Sequence, residues 1–146
     1  MSTDDTDIRS MFDPRRQIPD WFWEAIREGK QDRLRFRGVC ERMERTELAA
    51  FMRLIDELAD FFTHPPFRPP PPPSQLSEYL AEVGYWGISQ GKAFFLDLWD
   101  HPQRFWDLKL ADVNVHQSDR SYLGIPELVW SERYPEDDIP GHRQDE

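Results

Sequence analysis

The strongest constraint on the fold is a proline tract in the middle of the chain: Pro65-Pro66-Phe67-Arg68, then five prolines at 69–73. Proline fixes φ and has no amide hydrogen, so a helix stops here and a central strand cannot form. The tract therefore reads as a short polyproline II rod between two blocks of other structure. It suits a stiff connector, whose prolines limit the freedom of the unfolded chain. It also suits a docking peptide, since Pro69/Pro72 and Pro70/Pro73 form PxxP pairs beside Arg68. Ser74 stands where an arginine-first ligand of that kind wants proline, which favours the connector.

Both blocks carry helical periodicity. Asp20 is placed to cap a helix over Trp21–Glu28, with Ile18 as a hydrophobic staple and Gly29 at the left-handed position that ends many helices. A second helix is expected over Gln31–Met43, with Leu34, Val39 and Met43 facing inward. The clearest begins at Thr46, where Leu48, Phe51/Met52, Ile55, Leu58/Ala59 and Phe62 recur at helical spacing. Beyond the prolines, Leu76, Leu80 and Val83 form another stripe, and the segment from Tyr85 to Trp99 reads as its continuation. Asp100-His101-Pro102 opens a short helix through Trp106, residues 109–120 read as loop, and Pro126–Tyr134 closes the domain. Hairpin signals and repeats are absent. The expectation is an all-α, single compact domain of about six short helices at residues 18–135. A flexible acidic or polar leader is expected at 1–17 and an acidic flexible tail at 136–146.

Composition narrows the function. Aromatics make up 14% of the 146 residues, too many for a disordered chain. No run of 18 apolar residues suggests a membrane span. The one cysteine, Cys40, fits a reducing cytoplasm. A net charge of −10 argues against nucleic acid as a partner. The charge is uneven: residues 27–53 hold eight basic and five acidic side chains. That segment reads either as a solvated helix face or as a patch for an acidic partner.

The stretch Tyr85-Trp86-Gly87-Ile88-Ser89-Gln90-Gly91-Lys92 resembles a phosphate loop only superficially. A Walker A motif requires glycine at 86 and Ser or Thr at 93, where this chain has Trp86 and Ala93, and no strand precedes it. Taken as one continuous helix, Gly84, Gly87 and Gly91 fall on the apolar face, where they permit close helix packing. Trp86, Gln90 and Asp97 then share the opposite stripe, within about 40° of one another, and form the candidate partner- or ligand-binding residues.

Three segments carry a family resemblance. Trp21-Phe22-Trp23-Glu24-Ala25-Ile26 is similar to an "FWELI" opening helix. Trp86-Gly87-Ile88-Ser89-Gln90-Gly91-Lys92 is similar to a "WLISQG(R/K)" signature, followed by Asp100-His101-Pro102. Val129-Trp130-Ser131-Glu132-Arg133-Tyr134 with Glu136-Asp137-Asp138-Ile139-Pro140 is similar to a closing helix and a "GEDLP"-type tail. On these the chain resembles the DUF4240 family, small bacterial domains of unknown function, over about residues 20–140. Gly87 departs from the family's leucine, and the proline tract replaces a segment rich in small and aromatic residues. The resemblance implies a helical bacterial domain and brings no catalytic residue with it.

Catalytic and metal signatures are absent. The histidines (64, 101, 116, 142) are scattered, and HExxH, CxxC and GxSxG are missing. Asp112, His116 and Asp119 could gather as ligands but read better as loop polarity. Cys40 reads as a small buried hydrophobe. No metal or cofactor is expected. The expectation is a non-enzymatic protein-interaction domain, immunity- or antitoxin-like, whose acidity would steer a basic partner. The alternative is a small-molecule-binding or catalytic domain using Trp86, Gln90 and Asp97, favoured if these line a concave pocket.

Overall fold

A computed structural model describes residues 7–64, 66–67, 76–110, 122 and 124–140. Among these the chain is helical and without strands, as expected. After a 3₁₀ turn at Ile8–Ser10 come α1 (Pro14–Gln17), α2 (Asp20–Glu28), α3 (Arg33–Glu41) and α4 (Arg45–Phe61). Then follow α5 (Leu76–Ser89), α6 (Lys92–Asp100), α7 (Pro102–Leu110) and α8 (Ile125–Arg133). The proline tract at 69–73 and the Asp112, His116 and Asp119 group lie outside the described residues.

Helix α4 follows its periodicity. Leu48, Phe51, Met52, Ile55, Leu58 and the adjoining Phe62 are fully buried. Its main partner is α5, and the closest approach is at Gly84: a Cβ there would lie 2.6 Å from the Phe62 ring. At Gly87 a Cβ would lie 3.0 Å from Leu98 of α6. Glycine at these two positions thus serves close packing, as expected. Gly84→Ala should destabilise the fold by about 1–3 kcal/mol through overpacking. Chemical denaturation should also show that loss shrinking in a Phe62→Ala background, because the two groups compete for one space.

Helix α3 is shorter than expected, and its inward face differs. Asp32 caps it, accepting from the Arg35 amide at 3.0 Å. Phe36, Val39, Cys40 and Met43 are buried, whereas Leu34 is 80% exposed. Phe36, Val39, Cys40 and Met43 stand at i, i+3, i+4 and i+7, one stripe of a helix, and Leu34 lies about 160° away from Phe36, on the outer face. Burial raises the Cys40 thiol pKa well above its usual value, consistent with an inert packing role.

Arginines of this region pair within the molecule. Arg37 pairs with Glu41 and with Glu132 of α8, and Arg42 pairs with Glu28. Arg45 pairs with Asp137 and lies over the rings of Trp130 and Tyr134. In return, Arg133 of α8 donates to the carbonyls of Met43, Glu41 and Cys40 at 2.8, 3.4 and 3.5 Å. It thereby caps the end of α3, where helix carbonyls carry partial negative charge. Arg37, Arg45 and Arg133 thus tie α3 and α4 to α8 and the segment after it.

Packing extends past both expected domain boundaries. Phe12 packs tilted against Phe61 and edge-on to Trp99, with centroids 4.7 and 6.1 Å away. Arg15 pairs with Asp100 at 2.6 Å, and that contact holds the Asp100 carboxyl below its ordinary pKa. At the other end Ile139 packs on the core.

Aromatic rings connect these helices. Tyr122 stacks on Phe36 at 3.8 Å and 4°, Phe36 meets Phe51, and Phe51 stacks on Phe22. Phe22 leads through Trp23 and Phe95 to Phe62, which stacks on Phe105 at 4.6 Å and meets Phe67 at 4.7 Å.

Candidate functional site

The segment from Tyr85 to Trp99 is two helices, not one. Gly91 has φ of 114°, a conformation open to glycine and strained for other residues. There α5 ends and α6 begins. Two side chains close α5 by bonding back one turn: Ser89 Oγ donates to the Tyr85 carbonyl at 2.8 Å, and Gln90 Nε2 to the Trp86 carbonyl at 2.9 Å. Gly91 is therefore a turn glycine rather than part of the packing seam.

This break separates Asp97, on α6, from Trp86 and Gln90, which stay together at the end of α5. The expected three-residue stripe requires one continuous helix. Trp86 is half-buried, edge-on to Phe94 at 5.7 Å. Asp97 forms an ion pair with Arg104 of α7. Gln90 lines a concave site that Trp86 and Asp97 do not reach.

That site is a cavity of about 600 Å³ between α2 and the α5–α6 turn. Asp20, Trp23, Glu24 and Arg27 line it at i, i+3, i+4 and i+7 of α2. Lys30 and Gln31 follow them, and residues 89–93 form the facing wall. Trp23 contacts Phe95 at a centroid distance of 5.4 Å, while Gln31 Nε2 reaches the Gln90 carbonyl at 3.4 Å. The turn before α6 thus meets the turn after α2, while Phe95, near the start of α6, meets Trp23 in the first half of α2.

The turn after α2 is unusual. Gly29, expected in the left-handed region, has φ of −72°. Lys30 and Gln31 occupy that region instead, with φ of 52° and 59°. Glycine is needed at 29 for space: a Cβ would lie 2.4 Å from Tyr122 Oη and 2.9 Å from Phe36 Cβ. Left-handed backbone costs a non-glycine residue about 1–2 kcal/mol, so the surroundings must hold it. Tyr122 does so. Its hydroxyl accepts from the Gln31 amide at 2.9 Å and donates to the Ile26 carbonyl at 3.0 Å. Its own amide donates to Ser89 Oγ at 2.9 Å. Burial pushes the Tyr122 hydroxyl pKa up to about 12, so it remains a neutral donor and acceptor. The relay Tyr85–Ser89–Tyr122–Gln31 joins both cavity walls from behind.

Sequence reasoning does not reach Arg27, Lys30, Gln31, Ser89 and Lys92 as cavity residues. Ser89 and Lys92 belong to the motif already singled out; no local signal marks the left-handed pair. Among the described residues no three His, Cys, Asp or Glu side chains gather as a metal would require, and His64 pairs with Asp60 at 3.2 Å. No described helix is long and apolar enough to cross a membrane.

A second, smaller hollow of about 440 Å³ lies between α3 and α8, beside Arg33, Arg37 and Ile125. The exposed side chains of Leu34 and Leu128 border it.

Fold and cavity define a small all-α domain with a ligand-sized cleft. No family model, curated protein or solved structure matches the chain.

Proposed function

We propose that this chain is a binding domain without catalysis, taking a small ligand in the cavity between α2 and the α5–α6 turn. The observation that carries this reading is the left-handed pair Lys30-Gln31 on the cavity wall. Strained backbone persists where its surroundings over-determine it, and it concentrates at ligand sites. Here the buried Tyr122 hydroxyl supplies that support. The cavity volume also lies within the range typical of small-molecule sites. Of the residues proposed from sequence, Gln90 keeps its place, and Trp86 and Asp97 become supports of the α5–α6–α7 packing.

Fragment screening by amide NMR tests the reading. Saturable shifts should cluster at residues 27–31 and 89–93. Hits that cluster instead around Leu34 and Leu128 would sink it.

The second reading is a cytoplasmic bacterial protein-interaction domain, immunity- or antitoxin-like, that neutralises a basic partner. The net charge of −10 supports it. The likeness to the DUF4240 family is compatible with either reading.

A further inference from the structure

We propose that the cavity takes a small organic anion, its carboxylate or phosphate held among Arg27, Lys30 and Lys92. This rests on the cavity reading above and assigns its ligand class. Arg9, Arg15, Arg37, Arg42, Arg45 and Arg104 each pair with a carboxylate. The exposed Arg16, Arg35 and Arg53 have no ion-pair partner among the described residues and share no cavity with one another. Convergence, not the lack of a partner, sets the next three cations apart. Arg27, Lys30 and Lys92 have no ion-pair partner among the described residues, and all three line one cavity.

Their neighbours sharpen this point. Glu24 and Arg27 stand at i and i+3 of α2, a spacing that favours pairing, yet they form no ion pair among the described residues. The bond from Gln31 to the Gln90 carbonyl places the α5–α6 turn, with Lys92, beside the turn after α2, with Lys30. The cavity is therefore polarised, with cations at the α5–α6 turn and Asp20 and Glu24 toward the other end of α2. Asp20 and Arg27 are separated by about 10 Å of helix. Helix α6 opens there without a side-chain cap, so its first-turn amides add positive potential to that end. Trp23 and Ala93 offer apolar surface between the poles. A ligand with one anionic group and a neutral or cationic body fits this layout. A polyanion does not, because Asp20 and Glu24 would repel its far end.

The test titrates the full-length chain at low salt with phenyl phosphate, benzoate, benzamide and benzylamine, read by amide NMR. At least one of the two anions should shift the Gln31, Gly91, Lys92 and Ala93 amides saturably, with a Kd at least about tenfold below that of benzamide. Whichever anion binds more tightly identifies the phosphate or the carboxylate as the preferred head. The double variant Arg27→Gln/Lys92→Gln should raise that Kd at least about tenfold while its urea midpoint stays unchanged. Equal or tighter binding of benzamide or benzylamine would overturn the anion assignment and leave the cavity reading intact. Silence toward all of the probes would overturn both.

Discussion

Phe62→Ala is expected to lower the unfolding free energy by about 3–5 kcal/mol, the range for truncating a large buried aromatic. Phe62 is fully buried at the end of α4 and touches the rings of Phe67, Phe95 and Phe105. It also fills the space left by Gly84. No small shift of α5 can close the hole, because the glycine backbone already lies against it. Urea denaturation followed by tryptophan fluorescence measures the effect, and a loss below about 1.5 kcal/mol would place the site among those that tolerate volume-conserving changes. Such a result would mean that the ring cluster is not the keystone of the α4–α5 contact.

Tyr122→Ala is expected to produce a loss of similar size, about 3–5 kcal/mol, together with a change at the cavity. The variant removes the stack on Phe36 and both hydrogen bonds of the hydroxyl. Tyr122→Phe separates the two contributions. It keeps the ring and leaves the Gln31 amide and the Ile26 carbonyl without their partner, at a cost of about 1–3 kcal/mol. In both variants the Gln31 amide should exchange with deuterium faster than the amides of α4. Unchanged Gln31 protection in Tyr122→Phe would show that the left-handed turn holds itself without the hydroxyl.

How much is legible in the sequence depends on the range of the interactions involved. Helix α4 can be read because its stripe from Leu48 to Phe62 is a local pattern repeated over many turns. The packing role of Gly84 and Gly87 can be read because a glycine on an apolar helix face costs helix stability and gains only close approach. The break at Gly91 is hidden because Ile88, Phe94 and Phe95 continue the apolar period across it, and a period does not report the sign of φ. Gly29 misleads for the opposite reason. Its position after α2 suits a left-handed cap, but the constraint on it comes from Tyr122, far along the chain. The separation of Asp97 from Trp86 and Gln90 follows from the break at Gly91 alone. Arg27, Lys30 and Lys92 are individually ordinary surface residues, and their convergence exists only in three dimensions.

The ties made by Tyr122 and Arg133 also bear on the order in which the domain can assemble during synthesis. Tyr122 bonds to Ile26 and Gln31 across separations of 96 and 91 residues, and Arg133 bonds to Met43 across 90. Domains fold as units, and the N-terminal part of a chain leaves the ribosome first. Here α2, α3 and α4 emerge while the residue that fills the space above Gly29 and the one that caps α3 are still untranslated. A nascent chain halted before Tyr122 would lack the ring that stacks on Phe36. Filling the space above Gly29 and capping α3 are thus late events in synthesis.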